Sequence, residues 1–207
     1  MPLDNKLNIT DAAELARVEE QLSKSKAKQL FDSGFLDGLK AGSFQALAGI
    51  HCYLFDEIYG FAGKVRTVNI SKSNFRFAPV SYLEVSLKNI EAMPQFTFDE
   101  IIEKYVEMNI AHPFREGNGR SMRIWLDLMM KSERKQVIDW RCVDKNDYLL
   151  AMERSPIKDI EIKFLLKQAL TDKINDRAIY MKGIDASYHY EGYVLYKTEN
   201  LATPDGV

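Results

Sequence analysis

Cysteine is scarce: Cys52 and Cys142 are the only two in 207 residues, too few for a disulfide framework. Each lies in an apolar stretch, "IHCYLF" and "DWRCV", and they share no metal-ligand spacing. Both are therefore expected in the core of a protein from a reducing compartment. Charge of one sign is lacking too, since 28 Lys and Arg against 30 Asp and Glu leave a net −2 spread along the chain. Nucleic-acid binders usually concentrate basic charge, so no direct nucleic-acid partner is expected. No apolar run reaches bilayer length, and "MPLDNKLNITDAAE" lacks the charged-then-apolar order of a signal peptide. A cytoplasmic chain without membrane contact is the expectation. Repeats and low-complexity segments are absent, and only "YKTENLATPDGV" reads as loose. What is there, 46% hydrophobic and 28% charged residues over a length sufficient for one buried core, describes a single domain spanning 1–207.

Most of that domain reads as helix. "TFDEIIEKYVEMNIA" opens with Thr97 and Glu100 at capping-box spacing, and Phe98, Ile101, Ile102, Tyr105 and Val106 follow with helical periodicity. "NGRSMRIWLDLMMKSER" carries Ile124, Trp125, Leu128 and Met129 along one face, a core stripe rather than a cofactor box. Ser43 caps a third helix in "SFQALAGIHCYLFDEIYG", and "DAAELARVEEQLSKSKAKQLFDSG" is a long N-terminal one. "DKNDYLLAMERS", "IKDIEIKFLLKQAL" and "NDRAIYMKGIDASYHYEG" are shorter. One region departs from this pattern. "VRTVNISKSNFRFAPVS" is rich in β-branched and aromatic residues, alternates Phe75 and Phe77 with Asn74 and Arg76, and closes at Pro79. The fold class is all-α with a small β-hairpin flap over about 68–80.

The densest chemistry lies in "HPFREGNGRSMR", His112 to Arg123, between two helical patterns. Pro113 disfavours helical geometry at His112, which places that histidine on a turn between helix ends. The next helix aims its unpaired N–H groups at "EGNG", an arrangement suited to an anion, and Gly117 and Gly119 permit close backbone approach. Arg120 and Arg123, three apart, share a helix face and suit phosphate oxygens. Glu116 is a candidate ligand for Mg²⁺, which commonly takes one or two carboxylates plus substrate phosphates. His112 is a candidate base for a hydroxyl proton, with an unperturbed pKa of about 6.5.

These twelve residues resemble the Fic motif, HPFx[D/E]GNGRxxR, at every fixed position. The resemblance extends to "HCYLFDEIYGFAGKVR", "ISKSNFRFAP" and "DYLLAMERS", and so over nearly the whole chain. It implies a Fic-type helical fold and transfer of AMP from ATP to a Ser, Thr or Tyr hydroxyl of a protein, with Mg²⁺ or Mn²⁺. His112 would then be the base and Phe114 a buried anchor. Glu116 would hold the metal, Gly117, Asn118 and Gly119 would line the anion hole, and Arg120 and Arg123 would take the β- and γ-phosphates. The flap, with Lys72, Phe75, Arg76 and Phe77, would hold an extended target segment by backbone pairing, although a plain surface hairpin has the same alternation. Tyr148 and Met152, four apart, fit either an adenine pocket or simple packing.

A second stretch, "SYHYEG", places Ser187 and Glu191 on one helical face with Gly192 to end the helix. On spacing alone it is an ordinary last helix. It also resembles the inhibitory motif of Fic proteins that carry their own C-terminal brake, here over about 184–192, in which Glu191 would pair with Arg123 and keep the γ-phosphate out. Tyr188 and Tyr190 would be sites of self-modification, or core residues. His51 reads as a satisfied core histidine and His189 as exposed. The same resemblance leaves open AMP removal or transfer of another phosphate-containing group, and a nucleotide-sensing module without turnover is the reading from another class. DNA gyrase or topoisomerase IV subunits are the expected targets by resemblance, and association of the chain with itself is left open.

Overall fold

The computed structural model describes residues 2–72 and 75–202. The chain opens with α1 (Ala12–Asp32), whose first turn is capped by Asp11 accepting the Glu14 N–H at 2.8 Å. Next comes α2 (Phe44–Phe55), capped by the Ser43 hydroxyl as its sequence predicts. A hairpin of β1 (Ser71–Lys72) and β2 (Phe75–Arg76) follows, antiparallel, with Ser71 opposite Arg76 and Lys72 opposite Phe75. Then come α3 (Val80–Ala92), α4 (Phe98–Ala111) and α5 (Asn118–Arg134). After β3 (Val137–Ile138) come α6 (Lys145–Arg154), α7 (Ile160–Gln168), β4 (Leu170–Thr171) and α8 (Arg177–Tyr190). The architecture is helical, with a small flap and a second two-residue strand pair, β3–β4.

Thr97 and Glu100 form the full capping box that starts α4. The wholly buried Trp125, Met129 and Met130 on α5 pack beside Leu47 and Ile50 of α2 and Tyr105 of α4, so α5 runs through the middle of the core. None of the described helices is long and apolar enough to cross a membrane.

Four features depart from expectation. Helix α3 has no counterpart among the elements read from sequence. It buries Leu83, Leu87 and Ile90, but exposed Tyr82 and Val85 blur its apolar stripe. The β3–β4 pair is too short for a periodic signal. Both cysteines are exposed rather than in the core, because Cys52 lies off the buried stripe of α2 and Trp140 takes the buried place beside Cys142. The tail is tied down as far as Ala202. Lys24, Ser25 and Lys28 of α1 donate to the carbonyls of Tyr196, Ala202 and Leu201, and Glu20 accepts the N–H groups of Leu195 and Tyr196. Buried Lys24 pairs with Glu20 at 3.0 Å and Asp185 at 3.2 Å, joining α1 to α8 beneath the tail.

Candidate active site

The turn after α4 is built around His112. Its N–H continues the helix to the Met108 carbonyl at 2.9 Å, while its φ of 48° and ψ of 63° turn the chain out of the helix ahead of Pro113. Nδ1 lies 3.2 Å from the Asn109 carbonyl oxygen. An acceptor there requires the proton on Nδ1, which leaves the lone pair on Nε2, the nitrogen a base would use. The Phe77 ring of the flap stacks on the imidazole at 3.6 Å.

The next residues are fixed from beneath. Phe114 is wholly buried and stacks on His51 at 3.8 Å. Asn118 closes the loop on Phe114, its Oδ1 accepting the Phe114 N–H at 2.8 Å and its Nδ2 donating to the Phe114 carbonyl at 2.7 Å. His51 Nδ1 accepts the Gly63 N–H at 2.9 Å, so its Nε2 carries the proton and donates to the Glu116 carbonyl at 2.8 Å. Burial lowers the His51 pKa to about 4, which keeps the ring neutral in this role. Gly117 turns the chain into α5 at φ 76°, where a Cβ would sit 2.5 Å from the Phe55 ring. The first helical bond of α5 runs from the Ser121 N–H to the Gly117 carbonyl. The amides of Asn118, Gly119 and Arg120 thus precede the ladder, as anion-binding helix starts do.

Arg120 and Arg123 of α5 are both engaged by carboxylates. Wholly buried Arg120 donates to Glu19 Oε1 at 2.5 Å and Glu116 Oε1 at 3.0 Å, and its Nε lies 2.8 Å from Glu191 Oε2 without hydrogen-bond alignment. Arg123 donates to Glu191 Oε1 at 2.6 Å, to the Ser187 hydroxyl at 2.6 Å and to the Ser187 carbonyl at 2.9 Å. Burial disfavours each charge, but the facing carboxylates of Glu19 and Glu191 outweigh it at Arg120 and raise its pKa. At Arg123, Tyr148 and Glu191 do the same. Three carboxylates thus face two guanidiniums. Glu191 can approach this closely because residue 119 is glycine: a Cβ there would lie 2.4 Å from Glu191 Oε1.

An open cavity of about 570 Å³ joins these parts. His112, Glu116, Gly117, Gly119, Arg123 and Glu191 line it, together with Phe75 and Phe77 of the flap and Tyr148 and Met152 of α6. Arg76 is exposed beside Phe75, while the side chain of Lys72 and residues Ser73 and Asn74 lie outside the described residues. The two tyrosines read as self-modification sites are buried. Tyr188 is wholly enclosed, and the Tyr190 hydroxyl donates to the carbonyls of Trp140 and Val143. Neither hydroxyl is reachable while α8 is docked, because the same helical face that carries Ser187 and Glu191 inward also carries Tyr188 inward. His51 is a buried, satisfied histidine and His189 is exposed, as their contexts predict.

Three residues at this site carry no local sequence signal. Glu19 lies 101 residues before its partner Arg120, on the long first helix, and also accepts hydrogen bonds from the Tyr59 and Tyr193 hydroxyls. Arg66, in the quoted "GKVR", binds the carbonyl of His112. Tyr193 reaches Glu19 from just beyond "SYHYEG".

Residues 42–130, the span from the start of α2 almost to the end of α5, match the family model described as Fic/DOC family. This part of the chain is a Fic/DOC family domain. Over 198 residues the chain is 29% identical to the protein adenylyltransferase VbhT of Bartonella schoenbuchensis, with 87% of this chain and 40% of that protein aligned. The chain therefore spans well under half of that relative. It is 22% identical to the "Probable protein adenylyltransferase Fic" of Salmonella typhimurium, covering 81% of this chain and 87% of that one. A crystal structure of BepC of Bartonella tribocorum, with AMPPNP bound, aligns with a TM-score of 0.67 at 18% identity over 83% of this chain and 93% of that one. At that identity the likeness is one of fold. The curated relatives of the Fic/DOC domain are thus named as adenylyltransferases.

Proposed function

We propose that this chain is a self-inhibited protein adenylyltransferase, moving AMP from ATP to a hydroxyl side chain of a target protein in the cytoplasm. The observation that carries the reading is the set around one cavity: a base with its lone pair on Nε2, a helix start with open amides, and Arg123 held by the Glu191 carboxylate, which also lies against wholly buried Arg120. In the transfer, His112 Nε2 takes the hydroxyl proton as that oxygen bonds to the α-phosphorus. The bond from the α-phosphorus to the bridging oxygen breaks, and pyrophosphate leaves. The amides at 117–119 and the two guanidiniums offset the phosphate charge. Tyr148 and Met152, which line the same cavity, would hold the base of the nucleotide.

Glu116 would hold a Mg²⁺ or Mn²⁺ ion, a hard cation bound through one or two carboxylates. Its carboxylate is 41% exposed at the cavity rim, and no cluster of three His, Cys, Asp or Glu forms a ready-made metal cage among the described residues. The bound ion would neutralise charge on the leaving pyrophosphate.

The self-inhibition follows from charge. With Glu191 in place the arginine site carries a formal −1 and repels a triphosphate. Moving Glu191 out removes one negative charge and frees the Arg123 fork for a phosphate. The test is intact-mass spectrometry after incubation with MgATP on wild type, Glu191→Gly and Glu191→Gly/His112→Ala. Breaking a charge pair in a half-open site is worth about 1–3 kcal/mol, or roughly ten- to hundredfold in rate. The single variant should gain AMP at least that much faster, and the double variant not at all. Equal labelling in wild type and Glu191→Gly removes the brake, and labelling that survives His112→Ala removes the base. DNA gyrase and topoisomerase IV subunits are the first external targets to try with labelled ATP.

A further inference from the structure

Arg66 is 4% exposed and has no carboxylate partner among the described residues. A buried cation without a counter-ion is expensive unless its donors are all used. Here the guanidinium makes four hydrogen bonds, all to backbone carbonyls: Nε to His112 at 2.8 Å, Nη1 to Val68 at 2.8 Å, and Nη2 to Ala78 at 2.5 Å and Ala111 at 3.1 Å. Its own N–H donates to the Pro113 carbonyl at 2.8 Å.

Those four carbonyls divide into two pairs. Ala111 and His112 lie at the C-terminal end of α4, where carbonyls lack helical partners and a cation suits the dipole. Val68 and Ala78 lie on the two legs of the flap, just before β1 and just after β2. One planar group therefore ties both legs of the hairpin to the residue that carries the candidate base. Two further contacts run the same way: the Ala78 N–H donates to the Ile110 carbonyl at 3.0 Å, and Phe77 stacks on the imidazole. His112 holds a left-handed backbone conformation that L residues adopt at a cost, so outside restraints on its carbonyl fix where its ring sits.

We infer that Arg66 is a positioning residue that locks the flap to His112, and so sets the register in which an extended target segment paired along the hairpin offers its hydroxyl to Nε2. The inference rests on the adenylyltransferase reading of the site and adds to it how the acceptor is aligned. Lysine is a poor substitute, because one ammonium cannot span four carbonyls that a planar fork reaches together. Water needs no register, so release of AMP and pyrophosphate by hydrolysis of ATP should suffer less than transfer to a protein hydroxyl.

The experiment compares Arg66→Lys with Lys104→Met, both in the Glu191→Gly background. Lys104 is also a buried cation on carbonyls, those of Glu91 and Met93 at the end of α3, away from the cavity. It controls for stability alone. Nitrogen NMR of the histidine rings reads the His112 tautomer, and MgATP turnover gives the ratio of self-labelling to hydrolysis. Arg66→Lys should mix the His112 tautomers and lower the ratio by about a hundredfold, the usual size of an ångström-scale misplacement. Lys104→Met should lower Tm and leave both readouts at their parent values. An Arg66→Lys protein with the parent's tautomer and ratio overturns the inference. If the Glu191→Gly parent neither labels itself nor hydrolyses ATP, the proposed function fails, and the tautomer still decides Arg66. Should Arg66→Lys not fold, Phe77→Leu removes the ring contacts to His112 and Phe75 while leaving the Arg66 bonds, and should loosen the imidazole and lower the ratio; unchanged values there count against the coupling.

Discussion

Acid should act on this protein through His51, and the size of the effect can be worked out. In the folded chain the pKa of the ring is pushed down to about 4, against about 6.5 for a free histidine. Burial is the chief cause. The bond to the Glu116 carbonyl opposes the shift and the Arg120 charge adds to it. The unfolded chain therefore takes up the proton first, and between pH 6.5 and 4 it binds more protons than the fold. Stability from His51 is complete above 6.5, falls as the pH falls and is gone near 4, a total of about 3 kcal/mol. Asp127 works in the opposite sense. Its carboxyl is buried beside Ile138 and Trp140 and burial raises its pKa to about 7, so the fold binds that proton first and loses stability as pH rises from 3.8 to 7. The two largely cancel in wild type, and the difference between wild type and His51→Gln isolates the histidine. Urea denaturation of both proteins at pH 7.5, 6, 5 and 4 supplies that difference. The variant loses two hydrogen bonds and a ring stack, about 2–4 kcal/mol at neutral pH. That deficit should shrink by about 3 kcal/mol towards pH 4. Parallel curves would refute the reasoning, because they would mean that the ring is not held neutral under the Glu116 carbonyl.

Two further perturbations test the scaffold. Gly117→Ala places a Cβ at positive φ against the Phe55 ring, and denaturant melts should show a loss of about 1–3 kcal/mol. Lys24→Met strips the cation from Glu20 and Asp185 in a buried cluster, a loss of about 3–5 kcal/mol, and limited proteolysis should find the chain beyond Tyr193 cut sooner than in wild type. An unchanged melt in either variant would remove the corresponding contact from the account.

Much of the site was legible because its chemistry is local. From "HPFREGNGRSMR" alone, Pro113 ends α4 at Ala111, the glycines turn the chain, and the next helix starts with open amides and two arginines on one face. Backbone sterics act over a few residues, so the sequence carries them in full. The Thr97–Glu100 box and the Ser43 cap were legible for the same reason. Helix α3 was not, since its buried stripe is only three residues deep and flanked by exposed apolar ones. The cysteines misled because an apolar neighbourhood along the chain does not say which face of a helix a residue takes.

What the amino-acid order determined, then, was the helix–turn–helix at 98–134, the open amides where its second helix starts and the Ser187–Glu191 spacing. What tertiary structure decided was who faces whom. Glu19 meets Arg120 across 101 positions, Arg66 gathers four carbonyls from two segments, and Tyr188 and Tyr190 turn inward although both carry hydroxyls suited to modification. The reason is physical. A turn or a cap is closed by atoms a few bonds apart, whereas a buried charge takes whichever partner the packing of distant helices brings within reach.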